Sequence, residues 1–146
     1  MKINHQTLQS IYEDLTWETY ITLCDEITNI DDSDLEEELS KQSTLYSYFT
    51  GLHAYAETEL DKFEVALNQE KSLFKRKLVS ESGKQTVAQM DIAVGSDHDI
   101  NLGEIALLEL EYKAQLLKGL VHSLSQRKDM LVQISSNKKA EKQMYS

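Results

Sequence analysis

Residues 34–83 read DLEEELSKQSTLYSYFTGLHAYAETELDKFEVALNQEKSLFKRKLVSESG. The stretch holds no proline, and its only glycine before the closing Ser82-Gly83 is Gly51. The two residues that most strongly oppose a helix interior are therefore almost absent. Leu39, Tyr46, His53, Leu60, Leu67 and Phe74 recur every seven residues, and Phe49, Ala56 and Phe63 hold the companion position. This spacing predicts one long helix over 34–79 with a coiled-coil-like stripe.

Upstream, Asn29 to Asp34 is a polar turn, and Ser33 with Glu36 has the form of a capping box, which predicts a helix start at Asp34. Leu8, Ile11, Tyr12, Leu15, Leu23 and Ile27 follow helical spacing and predict a helix over 5–28, although Thr16 to Leu23 is rich in β-branched and aromatic residues. Downstream of a break at 80–84, a short helix is expected over 85–94, ended by Gly95 in the left-handed conformation. Asn101 with Glu104 forms a further capping pattern, followed by a second long helix over 105–139 with heptad-spaced Leu117, Leu124 and Leu131, alongside Leu120 and Ile134. The polar, basic end from Ser135 to Ser146 is expected to fray. The fold class is all-α, a long helical hairpin with a short intervening helix.

At 146 residues the chain is one domain's worth of material. Its single cysteine, Cys24, has no partner for a disulfide and forms no cysteine metal site, which points to a reducing compartment. No basic n-region precedes an apolar h-region, and no apolar run approaches the roughly 18 residues needed to cross a bilayer, so a soluble protein without a membrane partner is expected.

The net charge of −10 argues against a nucleic-acid binder on average, yet the charge is uneven. Residues 1–70 carry three Lys/Arg (Lys2, Lys41 and Lys62) against 16 Asp/Glu, whereas residues 71–146 carry 12 against 9. The acidic run Asp31, Asp32, Asp34 and Glu36 to Glu38 stands at a helix start, where the helix dipole favours anions, and needs no catalytic explanation.

No GxxxxGK[ST] or GxGxxG loop is present, and the four histidines form no HExxH or other ligand spacing, so neither a cofactor nor a metal is expected. Asp97-His98-Asp99 reads as helix capping, and His53 as a polar residue on the apolar seam. Lys71, Lys75, Arg76 and Lys77 form the cluster that bears on function. Lys71 and Lys75 stand one turn apart on one helix face, where like charges repel and an anion would relieve them. The same cations would also complement the negative end of a helix dipole. A second basic group comprises Arg127 and Lys128, then Lys138, Lys139 and Lys142. Aromatic residues beside these cations are few, so any nucleic-acid binding would be mainly electrostatic.

Several of these features occur in a specific order: Ile30-Asp31-x-Ser33-x-Leu35, Leu45-Tyr46-Ser47, His53, Glu59, Glu64, and Lys75-x-Lys77-Leu78 closed by Ser82-Gly83. Gly95-Ser96-Asp97, Arg127, Ile134 and Lys138 follow. In this order and spacing the chain resembles the UvsY family, the recombination mediator proteins of T-even-like bacteriophages, from Ile30 to about Lys139. The resemblance implies a UvsY-like helical domain over 30–139, flanked by an N-terminal segment, 1–29, and a basic tail, 140–146. It implies a ring-like homo-oligomer that binds single-stranded DNA and helps a phage RecA-like recombinase displace the phage single-strand-binding protein, in the cytoplasm of the infected bacterial host.

In the family, the paired basic residues before the Ser-Gly stop contribute to DNA binding, and these fall on Lys75 and Lys77. The expected DNA-binding set is Lys71, Lys75, Arg76, Lys77, Arg127 and Lys128, and the expected oligomerisation set is Leu117, Leu120, Leu124, Leu131 and Ile134. No enzymatic activity is expected of the chain itself. The rival reading is a non-catalytic phage assembly factor or adaptor whose cations only cap a helix, and composition alone favours it. A metal-dependent nuclease built on Asp31, Asp32 and Glu36 is a distant third.

Overall fold

The computed structural model describes residues 3–146, so Lys2, one of the cations counted above, lies outside it. Five helices follow one another: α1 (His5–Glu13), α2 (Trp17–Thr28), α3 (Leu35–Ser82), α4 (Val87–Ser96) and α5 (His98–Tyr145). The described residues contain no strand, and the all-α expectation holds. Two compact units result, one taking the chain up to Ala56 and again from Lys113 to Ser146, the other spanning Glu57–Tyr112.

The helix expected over 5–28 is two helices. Thr16 is extended, and it exchanges hydrogen bonds with Thr19: the Thr19 N–H donates to Thr16 Oγ1 at 3.3 Å, and the Thr16 N–H to Thr19 Oγ1 at 2.8 Å. This reciprocal cap satisfies backbone donors that a continuous helix would not have exposed, so the β-branched stretch starts a new helix there.

The start of α3 also differs from the expected Ser33–Glu36 box. Asp32–Asp34 forms a single 3-10 turn, in which Asp31 accepts from the Ser33 N–H at 3.0 Å and from the Ser33 hydroxyl at 2.6 Å. Asp34 then accepts from the Glu37 N–H at 3.3 Å. Aspartates therefore cap where the serine was expected to, because a charged acceptor outcompetes a hydroxyl for an N–H.

At the other end of α3, Gly83 adopts φ 77°, the only positive φ among the described residues. Gly95 does not. It lies inside α4, which runs on to Ser96, and Asn101 Nδ2 donates to its carbonyl at 3.1 Å. Thr86 and Gln89 form the capping box that starts α4, two residues later than expected. Asp97 then ends α4 and caps α5, accepting from the Ile100 N–H at 2.9 Å, so α5 begins at His98 instead of after an Asn101–Glu104 cap. The segment expected to fray is helical through Tyr145, since nothing after Gly119 breaks a helix and Lys, Ala, Glu, Gln and Met all favour one.

In the first unit α3 and α5 run antiparallel. Glu38, Gln42, Leu45, Phe49, Leu52 and Ala56 of α3 are buried or half-buried there, in alternating steps of four and three, and Leu35 and His53 are half-buried as well. Leu39 and Tyr46, expected on the seam, are each 42% exposed. One seam position thus lies one residue earlier than the apolar pattern suggested, at Glu38, Leu45 and Leu52, while the companion residues Phe49 and Ala56 are buried as expected; two seam positions, Glu38 and Gln42, are polar. From α5 come Leu117, Leu120, Leu124 and Leu131, all fully buried, and from α2 come Leu23 and Ile27.

In the second unit Leu67 packs over Gly103, and Leu67 and Ile100 are its buried apolar side chains. Leu60, Phe63 and Phe74 are half-buried, as their seam positions predicted. Val87, Ile92, Leu102 and Leu108 remain exposed.

Candidate nucleic-acid interface

The candidate cations Lys71, Lys75, Arg76 and Lys77 lie toward the end of α3, short of its last turn, which holds no basic residue, and within the second unit. Lys71 forms an ion pair with Glu104 of α5. Lys75 Nζ stands 3.8 Å from Asp91 Oδ1 of α4. The repulsion between Lys71 and Lys75 is therefore answered by two carboxylates of the same unit and demands no external anion.

Lys77 is the more open cation: its side chain is 74% exposed, and its one ionic partner, Glu81, is one turn on at 3.9 Å. The Arg76 side chain is exposed and has neither ion pair nor hydrogen bond to another described side chain. Lys84, also exposed, follows Gly83 at the same end of α3. It was not among the sequence candidates, though its place directly after the stop was a usable signal.

Long, solvent-screened ion pairs contribute little, on the order of 0–1 kcal/mol, so a phosphate can replace Glu81 or Asp91 at small cost. The patch available to an anion is thus Arg76 and Lys77, with Lys75 and Lys84 beside them and Lys71 largely committed. Among the described residues no stacked aromatic pair accompanies it; the ring pairs are Tyr12 with Tyr55 and Trp17 with Tyr20.

Arg127 corrects the sequence reading. It is 2% exposed and sits in the interior of the first unit, paired with Glu38 and donating to Gln42 Oε1 at 2.8 Å. Gln42 in turn donates to the Leu124 carbonyl at 2.6 Å. Such an arginine is unavailable to phosphate. The signal was present in the heptad: Arg127 stands seven residues after Leu120 and seven before Ile134, on the buried ladder of α5. Its neighbour Lys128 is exposed and belongs to that first unit, not to the unit of Lys71 to Lys77.

The expected oligomerisation set is corrected in the same way. Leu117, Leu120, Leu124 and Leu131 are fully buried within one chain and have no surface left for another copy; only Ile134 is half-buried. Their heptad spacing served the intrachain α3–α5 seam, which has the same period as a helix-helix contact between chains.

No cluster of three or more metal-ligating side chains occurs among the described residues, and Asp97 acts as a cap, accepting from the Ile100 N–H. No helix of the described residues is long and apolar enough to cross a membrane.

The sequence matches no protein-family model and no curated protein. The fold does have a counterpart. The crystal structure of the bacteriophage T4 recombination mediator protein UvsY superposes with a TM-score of 0.75 over 87% of this chain and 99% of that one. The chain has the UvsY fold. Sequence identity is 16%, so the likeness to UvsY is one of fold. The resemblance to the UvsY family read from the sequence is thereby matched at the level of fold.

Proposed function

We propose that the chain is a recombination mediator without catalytic activity of its own. It assembles into a ring-like homo-oligomer, binds single-stranded DNA, and helps a phage RecA-like recombinase displace single-strand-binding protein. The observation that carries this reading is the solvent-facing cation set Arg76, Lys77 and Lys75 at the end of α3 in a chain with the UvsY fold. Each patch is small, and repetition around a ring raises affinity without any new contact.

Fluorescent single-stranded DNA titrated at increasing salt tests it. Phosphate contact predicts log K falling linearly with log salt, by roughly 0.7 per phosphate contacted on a single strand. Lys75→Ala with Lys77→Ala should weaken binding and flatten that slope, while Lys71→Ala should do less because Glu104 holds Lys71. No binding at about 50 mM salt, low enough for such contacts to be strong, overturns the reading.

A second reading is favoured by a different observation: Leu73, Val87, Ile92 and Leu108 are each more than 60% exposed. Exposed apolar side chains in one unit suit a helical adaptor that docks another protein. Retained partner capture without DNA binding would select it.

A further inference from the structure

We infer that the groove between α1 and α2 receives the basic, apolar end of α5 from a second copy of this chain. The inference rests on the ring-like assembly proposed above and names the contact that would build it.

The groove has a volume of about 370 Å³ and an apolar floor of Ile11, Leu15 and Leu23. Asp14, Glu18 and Glu26 form its rim, and none of the three is in an ion pair within the described chain. Residues 1–29 hold five carboxylates and a single lysine, so the surroundings add to the negative potential. The segment that suits this groove must be cationic, apolar at one face, and helical or extended enough to enter a cleft between helices.

The chain carries such a segment. Lys138 donates to the Asp32 carbonyl, which marks where α5 draws level with the start of α3. Beyond it α5 continues to Tyr145 with every residue exposed, Met144 by 80% and Tyr145 by 90%. Lys139 and Lys142 lie on this overhang and pair with no carboxylate among the described residues.

A chain cannot fill its own groove. Lys113 donates to the Glu13 carbonyl at 2.9 Å and stands over the Tyr12 ring, and Tyr20 lies against Gly119, so α1 and α2 flank α5 near 113–119. Glu26, at the other end of the groove, lines a cavity with Arg127, and from Arg127 to Lys139 is still about 18 Å of continuous helix at 1.5 Å per residue, leading away from the groove. Groove and overhang are therefore separate patches on one protomer, and their pairing is heterologous. A contact of that kind repeats head to tail and gives a ring where the rotation between neighbours closes.

The test is the mass of the full chain in solution, by light scattering, for Glu18→Lys with Glu26→Lys and for Lys139→Glu with Lys142→Glu. Wild type should give a multiple of the 16.7 kDa protomer, and each double variant should fall to lower mass. Mixing the two variants in equal amounts should restore assembly, because each then offers the complement of the other. Met144→Ser with Tyr145→Ser, which touches no core residue, should also lower the mass while circular dichroism stays helical. A monomeric wild type, variants that keep the wild-type mass, or a mixture that fails to reassemble would overturn the contact. Titrating single-stranded DNA into the same samples separates the two ideas: assembly that depends on the groove but binds no DNA removes the mediator reading alone. DNA binding with an unchanged mass in every variant removes only this contact.

Discussion

At the scale of single residues, Arg127 has the largest consequence. Its guanidinium is inside the first unit, where Glu38 and Gln42 satisfy its terminal nitrogens while its Nε has no protein partner. Removing one member of a buried pair strands the other, so Arg127→Ala should destabilise the fold by about 3–5 kcal/mol in urea titration. Arg127→Met with Glu38→Leu should recover most of that loss, because an apolar pair of similar volume carries no desolvation cost. Asp31 offers a milder effect at the surface. The hydroxyl and N–H of Ser33 hold its carboxyl below the ordinary value of 3.8. The contribution is present above the ordinary carboxylate value and fades as pH falls through the lowered one. Ser33→Ala should move the Asp31 midpoint back up in an NMR titration; an unmoved midpoint would assign the shift to another cause.

At the scale of elements, most boundaries follow from caps. Thr86 and Gln89 start α4, a helix of ten residues, too short to persist in water without its cap and its packing. Thr86→Ala should cost about 1 kcal/mol and speed amide exchange in the first turn of α4. Elements of this kind were legible in the sequence to differing degrees. The long helix α3 was readable from its lack of breakers and its heptad of Phe49, Ala56 and Phe63. Its polar seam positions were not, because Glu38 and Gln42 look like surface residues until Arg127 is placed opposite them. The division of α1 from α2 was hidden for a related reason: Thr16 and Thr19 read as β-branched residues, and only the reciprocal hydrogen bonds identify them as a cap. The cations at the end of α3 were found, but their carboxylate partners Glu104 and Asp91 come from elements remote in sequence, which no local pattern reveals.

At the scale of the whole molecule, charge is the organising quantity. An acidic protein approaches DNA against its mean field, so cations must be gathered where they outweigh that field locally. Residues 71–77 supply that local excess, with four cations and no carboxylate, and this is why the salt slope, more than bare affinity, reports whether Arg76, Lys77 and their neighbours meet phosphate. The buried trio of Glu38, Gln42 and Arg127 adds a dimension to this economy of charge. If α5 slid along α3 by one turn, about 5.4 Å, the arginine would face leucine or tyrosine and its carboxylate would be left alone. The trio is thus a ruler. It sets how many residues of α5 protrude beyond Asp32, and any change in that reading would lengthen or shorten the arm that one copy can extend to the next.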